Sequence, residues 1–233
     1  MNITTDSPGP LKVISFLTRR PDLDLAAFSE YWRTVHRAHA MTLVNAGFIQ
    51  GYIQNHPLGE ALEGLVLIAD GAPELWIETP DMLQRLVESR EYQEGAGPDE
   101  ANFSVPPVLA CVARERLLIE GEPPVDAIKL MLTVVRNPHL DGTAFRQRWL
   151  AGESAPLLSS RPLRLTRHAA LDDEAPLHGA EFSWWPDMAA LRYAWKSRNP
   201  AAGGELIAPR SLRGLLAREE VVLAPQAERG QAA

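Results

Sequence analysis

Apolar and polar residues follow one another along the chain in blocks that predict short strands and longer helices. Residues Lys12–Thr18 form a mostly apolar run followed by Pro21, which is typical of a strand that ends in a turn. Asp24 can then serve as the N-cap of a helix that reaches about Ala46 and stops at Gly47. Helical spacing predicts one stripe on this helix. The stripe comprises Phe28, Trp32, Val35, His36, His39 and Leu43.

The pattern after this helix predicts a complete small unit. We expect a strand at Phe48–His56, a third strand within Leu65–Glu78, a helix starting at Thr79-Pro80-Asp81, a loop at Glu94–Ala101 and a strand at Val108–Leu118. The order βαββαβ is that of a ferredoxin-like unit, in which two helices cover one face of a four-stranded antiparallel sheet. The other face of the sheet remains apolar and needs a cover.

A second copy of the unit in the same chain provides this cover. Residues 12–39 recur without a gap as residues 129–156, with nine of the 28 aligned positions identical, whereas chance would give about two. The sequence therefore predicts an α+β fold in which two ferredoxin-like repeats form one pseudo-symmetric barrel. In the second copy we expect strands at Ile128–Val135, Leu163–His168, 179–184 and 221–224, and helices around Phe145–Leu150 and Pro186–Ser197.

The two copies differ where chemistry would be expected. The first copy has His36 and His39, and the second has Glu153 and Pro156 at the aligned positions. We therefore expect repeat 1 to be the active half and repeat 2 to be degenerate. The expected division is a disordered N-terminus at residues 1–10, repeat 1 at 11–119, a linker at 120–126, repeat 2 at 127–224 and a disordered tail at 225–233.

Composition narrows the class of protein. The chain has 233 residues, 45% of them hydrophobic, one cysteine and a formal net charge of −7. No secretory or membrane-spanning segment is apparent, and a single cysteine allows no internal disulfide, so we expect a cytoplasmic protein. Scattered arginines on an acidic chain do not favour nucleic-acid binding. Small molecules are the expected partners, the two repeats are expected to pair within the chain, and pairing of the whole chain into a homodimer is left open.

The first copy resembles the EthD domain family of dimeric α+β barrels. The resemblance rests on a first strand followed by Arg-Arg-Pro and on three motifs: F-x-x-Y-W-x-x-x-H (Phe28, Tyr31, Trp32, His36), Y-x-Q-N-H (Tyr52, Gln54, Asn55, His56) and D-G-x-x-E-L-W (Asp70, Gly71, Glu74, Leu75, Trp76). It implies a tandem version of a fold that is normally a homodimer, with a ligand cleft in each unit between the helices and the sheet. It also implies relatives that act on cyclic, hydrophobic or phenolic substrates, often without a metal.

Polar residues at positions that a core would fill with apolar ones suggest the site. His36 is the expected general acid/base, because histidine is the side chain best suited to proton transfer near neutral pH. Glu74 or Asp70 is expected to orient it, and Tyr52 or His56 is expected to donate a hydrogen bond to a substrate carbonyl or phenolate. Substrate contacts are expected from Trp32, His39, Gln54 and Trp76.

Structural roles remain open for several of these residues. Glu74 could be an ion-pair partner of Lys12 or of an arginine on a neighbouring strand. Trp32 and Trp149, present in both copies, are suited to be packing anchors. His56, which precedes Pro57, could be a turn residue.

No cofactor is expected. His36 and His39, spaced three apart on a helix, could bind a metal together with Glu74. The chain has no cysteine pair and no H-E-x-x-H motif. Nothing in the sequence marks a haem-binding histidine with a supporting carboxylate.

Three classes of function remain on the sequence alone. The favoured one is a cofactor-independent lyase or isomerase, that is a dehydratase, cyclase or double-bond isomerase, because the candidate groups are acid/base groups rather than redox groups. A cofactor-free monooxygenase of the same fold and a non-catalytic ligand-binding protein are the alternatives.

Overall fold

The computed structural model describes residues 11–199 and 204–225. Its strands are β1 (Leu11–Arg19), β2 (Gly51–Pro57), β3 (Ala72–Ile77), β4 (Ser104–Ile119), β5 (Ile128–Val134), β6 (Arg164–Ala170), β7 (Gly179–Trp185) and β8 (Arg213–Leu223). Its α-helices are α1 (Leu25–Tyr31), α2 (Arg37–Asn45), α3 (Met82–Glu88), α4 (Gly97–Glu100), α5 (Gly142–Leu150) and α6 (Met188–Ser197). Two π-helical turns, Trp32–His36 and Tyr92–Ala96, continue directly into α2 and α4. None of the helices in these two ranges is long and apolar enough to cross a membrane.

The first long helix begins and ends where the sequence predicts. The side chain of Asp24 accepts a hydrogen bond from the backbone N–H of Ala27 at 2.7 Å, which caps the start of α1. Gly47 follows α2 with a φ of +84°, in the left-handed region that glycine adopts at low cost. The helix therefore runs from α1 through the turn Trp32–His36 into α2.

The eight strands close into one barrel in the order β1-β3-β2-β8-β5-β7-β6-β4, and all the pairings between them are antiparallel. Cut between β2 and β8 and between β4 and β6, the barrel gives two sheets with the orders β4-β1-β3-β2 and β8-β5-β7-β6. Both orders are those of a βαββαβ unit. The predicted fold class, two ferredoxin-like repeats in one α+β barrel, is confirmed.

The barrel interior has a buried apolar core to which both repeats contribute. Ile14 and Phe16 from β1 meet Met131, Phe182 and Leu215 from the second repeat. Separate apolar clusters lie between each sheet and the helices outside it. Each sheet is therefore buried on both faces, which explains why β5 and β7 are buried along their whole length.

The pairing register of β2 with β3 decides which residues face the barrel interior. Ile53 opposes Glu74, and Tyr52 opposes Leu75. Opposed residues on neighbouring strands point to the same face, and successive residues alternate between faces. Glu74 and, two residues on, Trp76 therefore point into the barrel, whereas Tyr52 points outward to the helices.

Residues Glu94–Ala101 are helical rather than a loop, which corrects the prediction. The turn Tyr92–Ala96 and α4 span most of this segment, and Ala96 is buried against α2. Pro98 suggested a loop, but it lies directly after the π-helical turn Tyr92–Ala96, in the first turn of α4, where the hydrogen-bonding pattern changes from π-helical to α-helical.

Two further boundaries differ from the predicted ones. β8 begins at Arg213, earlier than the predicted 221–224, and the helix after β3 has its N-cap at Asp81 instead of Thr79. The predicted tails, residues 1–10 and 225–233, lie outside the described residues except for Pro225, which is buried.

Candidate active site

A cleft lies between the helices of the first repeat and the outward face of its sheet. It encloses about 100 Å³. Most of its lining is apolar and comes from both layers. The side chains with hydrogen-bonding groups that line it are Ser15, Trp32, His36, Tyr52, Tyr92 and Glu100.

His36 forms a hydrogen bond with a carboxylate that the sequence did not suggest. Nδ1 of His36 lies 2.8 Å from Oδ2 of Asp99. The other carboxylate oxygen, Oδ1, accepts hydrogen bonds from the Tyr31 hydroxyl at 2.7 Å and from the Asn102 amide at 3.0 Å. Because an ionised carboxylate can only accept, Nδ1 carries the proton, and Nε2 of a neutral His36 keeps its lone pair.

Burial and hydrogen bonding set the protonation states of this pair. Burial lowers the pKa of His36, and the hydrogen bond and charge of Asp99 offset only part of this effect. Burial alone would raise the pKa of Asp99, but hydrogen bonds from Tyr31, Asn102 and His36 outweigh it and hold that pKa below its usual range. At neutral pH the site therefore holds a neutral imidazole backed by a carboxylate, which is the arrangement of a general base.

Glu100 supplies a second carboxyl group to the cleft. Its Oε1 accepts a hydrogen bond from the Tyr92 hydroxyl at 3.3 Å. Burial raises the pKa of Glu100, the hydrogen bond from Tyr92 opposes this, and the negative charge of Asp99 adds to the increase. Glu100 and His36 thus line the same cleft, and their pKa values are shifted toward the protonated carboxyl group and the neutral imidazole.

Both π-helical turns contribute residues to the cleft. Trp32 and His36 come from one turn, and Tyr92 and Ala96 come from the other. Single-turn π-helical segments are rare and occur frequently at functional sites. The local departure from α-helical geometry therefore coincides with the candidate site.

Three of the predicted site residues meet in the cleft, and two lie behind it. Trp32, His36 and Tyr52 line the cleft. Gln54 is fully buried behind Tyr52 and Trp32, to both of which it is hydrogen bonded. The His56 ring lies 4.7 Å from the Trp32 ring, centroid to centroid, and is not among the lining residues.

The expectation that Glu74 orients His36 is wrong. Glu74 points into the barrel, where its Oε2 lies 2.7 Å from Nζ of Lys12 and its Oε1 bonds Nζ of Lys129. The other reading of Glu74, an ion-pair partner of Lys12, is confirmed. The reason is the register of β3, because the outward positions of this strand are Pro73 and Leu75.

Asp70 and Trp76 also lie away from the base, and His39 lies beside the carboxylate of Asp99 without lining the cleft. Asp70 accepts a hydrogen bond from the backbone N–H of Arg19 at 3.0 Å and braces the end of β1, so it does not orient His36. Trp76 lies inside the barrel, with Nζ of Lys12 at 4.1 Å from its ring centroid. Nε2 of His39 lies 4.0 Å from Oδ1 of Asp99, and the His39 side chain is 42% exposed. Of these three residues, none lines the cleft.

A layer of charged residues fills one level of the barrel interior. Nζ of Lys12 also bonds Glu115, and Nζ of Lys129 lies 2.6 Å from Oε2 of Glu219. Burial would raise the pKa of Glu74, but the two lysines outweigh burial and hold that pKa well below its usual range. One carboxylate from the first repeat is thus shared by the equivalent lysines of both repeats.

The second repeat has a buried structural ion pair and lacks the acid/base pair. Arg167 is fully buried on the helix-facing side of its sheet, with Nε 2.9 Å from Oε2 of Glu181 and Nη1 2.9 Å from the carbonyl oxygen of Trp149. Glu153, aligned with His36, turns its carboxylate to Arg148. The second repeat therefore lacks the histidine and carboxylate of the first.

Sequence reasoning missed Asp99, Glu100 and Tyr92. All three lie in or beside the segment that was predicted as a loop, and a carboxylate in a loop does not by itself indicate a functional site. The available signal was the spacing of Tyr92, Ala96 and Asp99, which are four and three residues apart, as on one face of a helix.

The donor sets do not fit a metal ion, and the cleft does not fit a haem. In the described part of the chain, no group of three or more His, Cys, Asp or Glu side chains could hold a metal ion. His36 does have a supporting carboxylate, Asp99, which corrects the expectation from sequence. The cleft of about 100 Å³ is nevertheless too small for a porphyrin, since pockets for large cofactors and drug-sized ligands enclose roughly 300–1,000 Å³.

The closed barrel with a cleft under its helices defines a protein of the dimeric α+β barrel class, here with both halves in one chain. Residues 20–107 match the family model of the EthD domain. The first half of the chain is therefore similar to the EthD domain, and the resemblance noted in its sequence is confirmed. Comparison with curated proteins gives no match.

Solved structures share the fold over nearly the whole chain. An anthrone oxidase-like protein is 13% identical with a TM-score of 0.61, covering 94% of this chain and 97% of its own. A candidate monooxygenase from Lactobacillus acidophilus is 12% identical with a TM-score of 0.51, covering 92% and 99%. A mutant chlorite dismutase from Candidatus Nitrospira defluvii is 12% identical with a TM-score of 0.53, covering 92% and 93%. These likenesses establish the fold.

Proposed function

We propose that this protein is a cofactor-independent acid/base enzyme, a lyase or isomerase, that acts on a small hydrophobic cyclic or phenolic compound in the cytoplasm. The observation that carries the proposal is the hydrogen bond between His36 and Asp99 at the wall of an apolar cleft. A buried imidazole held by a carboxylate is suited to remove a proton from a bound substrate.

The proposed chemistry uses residues of the first repeat alone. Nε2 of His36 takes a proton from the substrate, and Asp99 stabilises the imidazolium that forms. In a dehydration, the electrons of the broken C–H bond form the new double bond, and the hydroxyl group leaves as water with a proton from Glu100. His36 and Glu100 then return to their starting states by proton exchange with water. Tyr52 or His56 is the proposed hydrogen-bond donor to a substrate oxygen.

The lining of the cleft supports a compact and uncharged ligand. No lysine or arginine is among the described residues that line it, so an anionic substrate would find no counter-charge there. Its volume of about 100 Å³ is below the roughly 150 Å³ of a cavity that admits benzene. We therefore propose a single small ring, admitted by a modest outward movement of the π-helical turns.

Base-catalysed exchange tests this proposal without knowledge of the natural substrate. Small cyclic ketones and phenols would be incubated with the protein in D₂O, and loss of the acidic C–H signals would be followed by proton NMR. Exchange above the buffer rate that disappears in His36→Gln supports the proposal. No exchange with any compound, together with binding that is equal in wild type and His36→Gln, would favour the non-catalytic ligand-binding protein.

The pH dependence of this exchange should report on His36. The base is active when neutral, so the rate should be constant near neutral pH and fall as the pH drops through the pKa of His36. Because burial lowers that pKa, the midpoint should lie below the ordinary histidine value of about 6.5. In Asp99→Asn the midpoint should move lower still, since Asp99 raises the pKa of His36. A midpoint that is the same in both proteins would contradict this assignment.

A cofactor-free monooxygenase is the second candidate, favoured by the names of two structural neighbours, an anthrone oxidase-like protein and a candidate monooxygenase. Proton removal from a phenolic ring would then precede reaction with O₂. Oxygen consumption with a phenolic substrate, measured with an oxygen electrode, would select this candidate. Exchange or elimination without oxygen consumption would select the lyase or isomerase.

A further inference from the structure

Gln54 joins the π-helical turn to Tyr52 through its side-chain amide. Its Nε2 lies 3.1 Å from the carbonyl oxygen of Trp32 and 2.7 Å from the hydroxyl oxygen of Tyr52. Its Oε1 lies 3.1 Å from Nε2 of His56. Gln54 is fully buried, so its amide group hydrogen bonds with these three groups and not with bulk water.

The orientation of this amide is determined by the carbonyl group of Trp32. A carbonyl oxygen can only accept a hydrogen bond, so the amide nitrogen, and not the amide oxygen, must face Trp32. The second hydrogen of the same nitrogen then points to Tyr52. The Tyr52 oxygen therefore accepts from Gln54, and its own hydrogen is directed elsewhere.

The Tyr52 hydroxyl is thus free to donate into the cleft that it lines. Burial raises the pKa of Tyr52 to about 12, so the hydroxyl keeps its proton at neutral pH. A hydroxyl that already accepts one hydrogen bond is also polarised toward donating another.

His56 holds the other side of the Gln54 amide. Because Oε1 of Gln54 can only accept, Nε2 of His56 carries the proton. Nδ1 of His56 is buried with no hydrogen-bond partner in the described part of the chain. Burial, together with the charge of Arg33, lowers the pKa of His56 to about 4. His56 therefore remains neutral, and its proton is used to hold Gln54.

The second repeat keeps the same anchor without this arrangement. Arg167 donates to the carbonyl oxygen of Trp149, as Gln54 does to that of Trp32. The remaining nitrogens of Arg167 face no tyrosine hydroxyl, since Leu165 precedes it by two positions as Tyr52 precedes Gln54. The anchor on the tryptophan carbonyl is thus common to both repeats, and the hydrogen bond to a tyrosine belongs to the first.

We propose that Gln54, supported by His56, is a positioning residue that fixes the Tyr52 hydroxyl as a hydrogen-bond donor to an acceptor oxygen of the ligand. This inference rests on the proposed function and extends it by naming the group that is recognised. The ligand class is a small ring with a carbonyl oxygen, or a hydroxyl that becomes an enolate or phenolate, beside the proton that His36 removes. Tyr52 is then the donor to this oxygen, and His56 is not.

Infrared spectroscopy of tyrosine-labelled protein tests the direction of this hydrogen bond without a ligand. The C–O stretch of a tyrosine hydroxyl differs between accepting and donating states, and the band of Tyr52 is assigned by difference against Tyr52→Phe. In Gln54→Glu at mildly alkaline pH, the carboxylate accepts where the amide donated. We expect the Tyr52 band to move to the position of a hydroxyl that donates to a carboxylate. An unchanged band would overturn the proposal.

Two further variants guard against misfolding and general effects. Gln54→Met removes the amide without adding an acceptor. The Tyr52 band should then lose the shift caused by the hydrogen bond from Gln54, but it should not reach the position of a hydroxyl that donates to a carboxylate. Gln84→Glu, on an exposed face of α3, is the matched control and should leave the band unchanged. Thermal unfolding of each variant checks the fold.

The ketone exchange assay separates this inference from the proposed function. Gln54→Glu should lower the exchange rate about as much as Tyr52→Phe, on the order of 10-fold, and the double variant should lose no more than Tyr52→Phe alone. Full additivity of the two losses would overturn the inference while leaving His36 as the base. A band shift in Gln54→Glu without exchange by the wild-type protein would support the hydrogen-bond assignment and reject the proposed function.

Discussion

Replacing His36 with glutamine should lower the base-catalysed exchange rate by about 10²–10⁴-fold, the usual contribution of a positioned general base. Glutamine is uncharged, can still donate a hydrogen bond to Asp99 and is close in size, so the fold should persist. It has no basic nitrogen in place of Nε2. The rate is measured by NMR with a cyclic ketone in D₂O, and the fold is checked by circular dichroism and thermal unfolding.

Two companion variants make this result specific. His139→Gln applies the same substitution to an exposed residue of the second repeat and should leave the rate unchanged. Asp99→Asn keeps the imidazole but replaces the carboxylate that fixes its tautomer, so the rate should fall by less than in His36→Gln. If the folded variant His36→Gln exchanged protons at the wild-type rate, His36 would be removed from the mechanism.

Most of the fold could be predicted because it depends on patterns that repeat. Residues 12–39 and 129–156 carry the same spacing of apolar residues, the same N-capping aspartate and the same tryptophan, and each pattern determines its element locally. Once two βαββαβ units are recognised in one chain, each sheet has an apolar face that needs a cover, and packing the two faces against each other gives a barrel. Local patterns therefore sufficed for the architecture.

The candidate site was only partly predictable because it depends on register and on a segment without a clear period. His36, Trp32 and Tyr52 were found from their positions on the helix and on β2. The alternation of residues along β3 places Glu74 and Trp76 on the same face, but only the pairing of Glu74 with Ile53 shows that this face is the barrel interior. Asp99 was missed because glycine, proline and acids around it are typical of a loop.

The asymmetry between the repeats has a physical reason in the same residues. Both repeats anchor a buried polar side chain, Gln54 or Arg167, on a tryptophan carbonyl. An amide can satisfy neutral neighbours and leave Tyr52 available, whereas a guanidinium requires a counter-charge, which Glu181 supplies. The change from glutamine to arginine at this position, together with Glu181, thus separates a polar site from a closed ion pair.

Replacing Glu74 with glutamine should lower the free energy of unfolding by about 3–5 kcal/mol, because it leaves Lys12 and Lys129 buried without the carboxylate that they share. The measurement is chemical denaturation at neutral pH. Glu60→Gln is the matched control, since it breaks an exposed pair with Arg192 and should cost about 0–1 kcal/mol. Equal losses in the two variants would contradict this expectation, because they would show that burial does not make the loss of Glu74 more costly than the loss of an exposed carboxylate.

The pH dependence of this loss provides an independent check. In the folded protein the pKa of Glu74 is held below its usual range, so its contribution to stability is fully present above the pKa of an unfolded glutamate and is lost as the pH falls through the depressed value. The difference between wild type and Glu74→Gln should therefore be largest near neutral pH and shrink in acid. Adding Lys129→Met to Glu74→Gln should recover part of the loss, because it removes one of the two buried lysines that have lost a carboxylate partner and leaves Lys12 with Glu115. A double variant that loses the full sum of both single losses would mean that Glu74 and Lys129 act independently, and the shared carboxylate would then not be what joins the two repeats at this level of the barrel.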